Sequence, residues 1–288
     1  MQETKTDTVF ISGATGYVGS HITRSLGNEG YNLILTGSNP ELLLNLKNQV
    51  LSLNGQTKLE IFHCDLSESK NWQTLTEFLD QFNVTHFINC AGTLGIPTSN
   101  ISDLSFKDHR KVFEINLNSA IYLTFYFAKK WVKEDFHNII HFSGGGATSP
   151  RPIFQSYSLS KTALVRFVEN CSLMKEFEKI SINIISPGAM PSKMQEQILD
   201  YPELSSTNEY EVAINTLGNK DVNIELCVSL SKYLLKLKNN EITCKIISSK
   251  WDNWKMLSEH QNVLKDSDVF TLRRIIPSDR GLTWNEIN

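Results

Sequence analysis

Apolar residues recur along the first two thirds of the chain in short runs, each closed by glycine or a small polar residue. Thr8 to Ser12 (TVFIS), Tyr31 to Thr36 (YNLILT), Leu59 to His63, Val84 to Asn89 (VTHFIN), Asn138 to Phe142 and Ile180 to Ser186 (ISINIIS) read as six strands. Helical spacing fills the gaps: Ile22 and Leu26, then Glu41 to about Leu53, then Trp72, Leu75, Phe78, Leu79 and Phe82. Strands alternating with helices in this way predict an α/β fold, a doubly wound parallel sheet with helices on both faces. A helix from about Asp221 to Leu237 and a strand from Glu241 to Ser248 complete it, so residues 1–248 form the main domain and 249–288 an extension. From about Asp108 a long helix is apolar nearly all round (Leu117, Ala120, Ile121, Leu123, Phe125, Phe127, Trp131), which predicts cover on more than one side. A homodimer or homotetramer through the helices at 108–134 and 155–178 is the preferred account, and one more helix of the same chain the alternative. Residues 187–218 are irregular and polar, the pattern of a substrate lid.

The stretch with the most chemistry is NIIHFSGGGATSPRPIFQSYSLSK, Asn138 to Lys161. It reads as strand, glycine loop and helix. Leu164, Val168 and Cys171 mark the helix's inward stripe, and steps of three and four residues backwards reach Lys161 and Tyr157. A lysine on an inward stripe either snorkels to the surface or acts on a neighbour. The second reading makes Tyr157 a phenol pulled down by a cation, an acid or base near neutral pH. Tyr126 and Lys130 repeat the spacing without a strand-end serine or glycine loop before them, and are set aside. Gly13, Gly16 and Gly19 stand between a strand and a helix, either a tight turn or a cradle for a pyrophosphate at a helix N-terminus. Gly13, Asp65, Asn89 and Ser143 all fall at strand C-terminal ends, where such sheets bind ligands. The second strand ends in Gly37-Ser38 with no carboxylate for a ribose 2′-OH, which leans towards NADP over NAD.

Charge and composition narrow the function. A net charge of −3, with no clustered Lys/Arg stripe, leaves no footprint for nucleic acid. No apolar run approaches transmembrane length, and the polar MQETKTDT carries no signal-peptide pattern, so no membrane role is expected. Five scattered cysteines without CxxC pairs read as buried thiols of a cytoplasmic protein. The histidines, among them His63, His86 and His141, read as core or strand residues, and no metal is expected.

Together these residues resemble the short-chain dehydrogenase/reductase family in its non-extended branch, over about residues 8–248. Asn89-Cys90-Ala91-Gly92 is similar to its N-N-A-G turn, Asp65-Leu66 to its adenine-contacting pair, and Asn116 to its helix asparagine. Tyr157-Ser-Leu-Ser-Lys161 matches its Tyr-x-x-x-Lys, and Pro187-Gly188 its turn beside the nicotinamide. The resemblance implies a Rossmann-type fold and an NAD(P)-dependent oxidoreductase acting on a small carbonyl or alcohol. Asn116, Ser143, Tyr157 and Lys161 would be catalytic. Gly13, Thr15, Gly16, Tyr17, Val18, Gly19, Ser38, Asp65, Leu66, Asn89, Ala91, Gly92, Tyr157, Lys161, Pro187, Gly188 and Met190 would bind the cofactor. Within the family Tyr157 exchanges the proton, Lys161 lowers its pKa and holds the ribose, Ser143 bonds the reacting oxygen, and Asn116 orders a relay water. Two departures stand out. The glycine spacing is that of the extended, sugar-nucleotide branch, with Tyr17 where the shorter branch has glycine. The family's serine falls at Gly144, one residue after Ser143. The first keeps an epimerase or dehydratase open, the second a non-catalytic cofactor-binding scaffold. The extension holds Trp251, Trp254, Phe270, Leu272, Arg273, Arg274 and Trp284, too aromatic for a solvated tail. It is expected to fold over the substrate pocket or a neighbouring subunit, with Trp251 and Trp254 as anchors and Arg273 or Arg274 on a substrate anion. The alternative is a strap outside the sheet.

Overall fold

The computed structural model describes residues 7–98, 100, 102, 105–131, 135–219, 223–238 and 242–283. Trp284 and the expected element starts at Asp221 and Glu241 lie outside them. Seven strands form one sheet: β1 (Thr8–Ser12), β2 (Asn32–Gly37), β3 (Leu59–His63), β4 (His86–Asn89), β5 (His137–Phe142), β6 (Ile180–Ser186) and β7 (Ile246–Ser248). Their order is β3-β2-β1-β4-β5-β6-β7, and every pairing is parallel. The strand order reverses between β1 and β4, which opens a crevice at their C-terminal ends. The inner strands are covered on both faces, so they read as continuous apolar runs instead of alternating ones.

Two apolar layers flank the sheet. On one face α1 (Tyr17–Asn28), α2 (Pro40–Leu53) and α9 (Asn223–Leu235) pack through Ile22, Leu26, Leu43, Val50, Cys227 and Leu234. On the other lie α3 (Lys70–Leu79), α5 (Ser119–Lys130) and α6 (Gln155–Cys171), meeting through Leu75, Leu123, Phe127, Leu164 and Val168. A third, smaller cluster joins Leu94, Phe154 and Tyr157 to Ile198, Leu204 and Ala213 above the strand ends. Those last three residues lie in a segment that the sequence marks as irregular. It folds instead as α7 (Lys193–Leu199), a 3-10 turn (Pro202–Leu204) and α8 (Asn208–Gly218).

The long helix expected from Asp108 is interrupted. α4 (Phe106–Phe113) passes into a π-helical turn, Glu114–Asn118, before α5 resumes. The second long helix stops at Cys171, short of the expected 178, and a 3-10 turn follows at Lys175–Phe177.

The sheet also encloses polar groups, and several of them bond one another. Ser12 Oγ donates to Asn89 Oδ1 at 2.6 Å, and Asn89 Nδ2 meets His141 Nδ1 at 3.1 Å. His141 Nε2 lies 3.1 Å from Thr124 Oγ1. Because the amide donates to Nδ1, the proton belongs on Nε2 and the ring is neutral. Burial, aided by the positive Lys161, holds the His141 pKa at about 3.

Candidate active site

β1 delivers the chain to a turn that only glycine can make. Gly13 has φ +65°, and a Cβ there would lie 2.5 Å from Ala91 N. A Cβ at Gly19 would lie 2.4 Å from Gly13 O. Gly16 sits exposed at the N-cap of α1, where no side chain caps the helix and no acidic residue occupies the first turn. An uncapped helix start behind a glycine turn fits the pyrophosphate of a dinucleotide. Thr15 lies beside Gly37, its Oγ1 3.0 Å from where a Gly37 Cβ would be. Tyr17 turns its ring onto His21, with centroids 4.8 Å apart, and Val18 packs against the core. As the first two residues of α1, they bring backbone N–H groups to the helix start.

At the C-terminal ends of β2 and β3 Ser38 is exposed, and His63 Nε2 lies 3.1 Å from its carbonyl. His63 is thus a strand residue, as its run suggests, but an exposed one at the crevice edge. Asp65 accepts the Ser67 N–H at 2.9 Å. The Leu66 side chain is core, and its carbonyl receives Trp72 Nε1 at 3.1 Å.

The catalytic candidates gather where β4 and β5 end. Tyr157 and Lys161 are 6% and 4% exposed. Lys161 Nζ donates to Phe142 O at 2.8 Å and lies 6.0 Å from the Tyr157 ring centroid. A Cβ at Gly92 would stand 3.6 Å from Lys161 Nζ, 3.6 Å from Asn116 Oδ1 and 3.7 Å from Met194 Cε. These distances bring the N-C-A-G turn, the π turn, α6 and α7 to one spot. Asn116 acts as a brace: its Oδ1 accepts Thr93 N at 2.8 Å, and its Nδ2 donates to Thr93 O at 2.9 Å and Ser160 Oγ at 3.0 Å. Gly144 lies directly under the phenol, and a Cβ there would be 2.1 Å from Tyr157 Oη. Ser143 Oγ is buried with no hydrogen-bond partner among the described residues. On β6's side Gly188 takes φ +80°, as the proline-glycine turn requires, while the Met190 side chain is buried in the core and leaves only its backbone to a cofactor.

The model of the family described as short chain dehydrogenase matches residues 7–202. The chain belongs to the short-chain dehydrogenase family. Within that family it is 26% identical over 235 residues to the 12alpha-hydroxysteroid dehydrogenase of Clostridium sp., covering 78% of this chain and 88% of the relative. Its fold is similar to the structure of an NAD+-bound xylitol dehydrogenase, with TM-score 0.72, 20% identity, and 84% and 96% of the two chains covered. It is also similar to the actinorhodin polyketide ketoreductase with NADPH, with TM-score 0.73, 19% identity, and 84% and 95% covered. This short-chain dehydrogenase is an oxidoreductase that uses a nicotinamide cofactor, and the glycine cradle described above fits one.

Around the phenol the structure adds a second cation. Burial raises the Tyr157 pKa, and the charge of Arg151 opposes that rise. Lys161 is depressed by burial to about 8 and donates to Phe142 O. One expectation for the extension is corrected: Arg273 is not free for a substrate, since it pairs with Asp268 at 2.7 Å and Asp279 at 2.9 Å. The set-aside pair is structural. Tyr126 donates to Asp80 at 2.7 Å and Lys130 bonds Asp80, Leu79 O and Tyr126, which ties α5 to α3. Arg151 and Glu209 escaped the sequence reading. The available signal was an arginine held between Pro150 and Pro152 immediately before the catalytic helix.

The extension divides in two. Trp254, Leu257 and Leu264 are buried in the layer formed by α1 and α9, and Trp254 Nε1 donates to Ser249 O. Further on, Ile246 N of β7 donates to Phe270 O at 2.8 Å and Lys245 Nζ to Ser267 O at 2.8 Å, while Leu272 bonds Arg166 and Glu169 of α6. This part is the strap outside the sheet. Trp251, 69% exposed, is no anchor, although its ring edge lies 3.8 Å from the Cβ position of Gly188.

Proposed function

We propose that the chain reduces a small carbonyl compound, or oxidises the matching secondary alcohol, with Tyr157 as the acid/base. The observation that carries this is the buried Tyr157–Lys161 pair at the strand ends beside Gly92, facing the crevice. A bound nicotinamide supplies or accepts the hydride. Tyr157, raised by burial, is protonated at neutral pH and is therefore set to donate to a carbonyl oxygen. Lys161, fixed on Phe142 O, is placed to hold a ribose hydroxyl. Both Asn116 amide hydrogens and one Oδ1 lone pair are engaged by Thr93 and Ser160, so a relay water would meet the second Oδ1 lone pair or the main-chain carbonyl in the π turn. Ser143 supplies a hydroxyl without a partner, and the amides of the loop Gly144–Gly146 offer further donors.

NADP is the preferred cofactor. Gly37, exposed Ser38 and the adjacent His63 leave a 2′-phosphate unopposed by any carboxylate at the strand end. The assembly is a homodimer or homotetramer through α5 and α6. The outer face of α5 shows a shallow groove lined by Ile121, Tyr122, Phe125 and Tyr126. The test of the activity is Tyr157→Phe assayed on ketones, aldehydes and keto-sugars. Turnover should fall by about 10²-fold or more while cofactor binding persists. A variant retaining the parent's rate on a substrate the parent reduces removes Tyr157 from the chemistry.

A further inference from the structure

Arg151 stands between two prolines in the loop that feeds α6. Its guanidinium carbon lies 4.8 Å from the ring centroid of Phe154 and 5.4 Å from that of Tyr157. Its Nε and Nη2 donate to Glu209 Oε1 and Oε2, both at 2.7 Å. The two side chains are only 16% and 23% exposed. A sheltered fork of this kind is stiffer and stronger than a surface ion pair, since both bonds are charge-assisted and geometrically fixed. Glu209 is the second residue of α8, which carries Ala213 into the apolar cluster that covers Tyr157. One cation thus touches the phenol ring with its face and the lid with its edge.

We propose that Arg151 is the positioning residue of the Tyr157 phenol, and that its pair with Glu209 ties that phenol to the lid formed by α7 and α8. The proposal rests on Tyr157 being the acid/base of the site. Its electrostatic logic is simple. Arg151 favours the phenolate, and Glu209, on the far edge of the same guanidinium, offsets that charge. With the lid latched, the phenol keeps its proton for donation. With the lid away, the uncompensated guanidinium makes the phenol more acidic. The other titratable groups around the ring are Lys161 on its own helix, Tyr201 before the 3-10 turn, Tyr210 on α8, and His109 on α4, which reaches Ser156. None of these spans the phenol and the lid as Arg151 does.

The test needs no substrate. The fraction of Tyr157 ionised at about pH 10.5, near the ordinary tyrosine range, is read by NMR of protein labelled with carbon-13 at the tyrosine Cζ. The resonance is assigned with Tyr157→Phe, and a complete titration curve is unnecessary. Glu209→Gln should increase the ionised fraction, equivalent to lowering the midpoint by about one pH unit, and Arg151→Gln should decrease it. Arg151→Lys, which keeps the charge and loses the fork, should fall between the parent and Arg151→Gln. Both Gln variants should also speed amide hydrogen exchange over residues 193–218. A purely structural latch would speed exchange without opposite shifts at Tyr157, and that result overturns the proposal, as does an unmoved resonance. Glu209→Gln alone, at a partly exposed position, remains decisive if Arg151→Gln does not fold. The readout can fail while Tyr157→Phe still abolishes turnover, so the proposal and the activity on which it rests are judged separately.

Discussion

At the scale of single residues, Gly144 makes the sharpest difference between analogy and geometry. By analogy with the family, a serine there would restore the missing hydroxyl and improve catalysis. The geometry says otherwise, because the Tyr157 hydroxyl already fills the space a Cβ at Gly144 would take, 2.1 Å away. The obstructing atom is the far end of a side chain, so Tyr157 would yield and its hydroxyl would shift. Displacement of a reacting group by about 1 Å lowers rates by about 10²-fold. Gly144→Ser is therefore expected to reduce kcat/KM by about that factor, with cofactor affinity unchanged. Steady-state kinetics beside a cofactor titration check it, and a variant faster than the parent would show that the phenol has room to spare. The adjacent Ser143 stays the candidate hydroxyl because it is buried and unpartnered, a state that a bound carbonyl oxygen would relieve.

At the scale of elements, the proposed cofactor preference rests on the ends of β2 and β3. Gly37 is a poor place to insert a carboxylate, since its Cβ position is 3.0 Å from Thr15 Oγ1 and a side chain would press on the phosphate loop. Ser38 is exposed and open. Ser38→Asp should weaken NADPH binding and leave NADH binding equal or tighter, as measured by fluorescence titration of both cofactors. A parent that already prefers NADH strongly would refute the assignment to NADP. Most strands were legible because they are buried apolar runs closed by a small polar residue or glycine; β1, β3 and β6 fall on the expected bounds, although β3 is only partly buried. α7 and α8 were not legible. They bury few apolar side chains, chiefly Ile198 and Ala213, against one small cluster, so their periodicity is too weak to separate from a polar loop. The π turn escaped for another reason. Its Asn116 bonds Thr93 and Ser160, partners distant in sequence that leave no local signature. Tyr157 and Lys161 were legible from local spacing, whereas the Arg151–Glu209 pair joins positions 58 residues apart.

At the scale of the whole molecule, the extension after β7 decides how far the catalytic unit reaches. If it were only a flap over the pocket, truncation after Ser249 would leave a folded, cofactor-binding protein without turnover. The structure implies a larger loss. Trp254, Leu257 and Leu264 are 7%, 4% and 3% exposed, and they share a layer with Cys227, Leu230 and Leu234 of α9. Each such side chain contributes about 1.5–3 kcal/mol through burial, against a total stability on the order of 5–15 kcal/mol. Truncation also strips Phe270 O from Ile246 N and exposes the outer edge of β7, the shortest strand of the sheet. The truncated chain should therefore melt lower by about 10 °C or more, or fail to fold, as followed by calorimetry or circular dichroism. Trp251→Ala supplies the contrast. That ring is exposed and lies against the Gly188 turn without entering the core, so its removal should leave Tm unchanged. A truncated protein with the parent's Tm would make the extension an independent flap. A lowered Tm on truncation, with an unchanged Tm for Trp251→Ala, places residues 254–272 within the folding unit and leaves Lys250 and Trp251, beside the Gly188 turn, free to act at the mouth of the site.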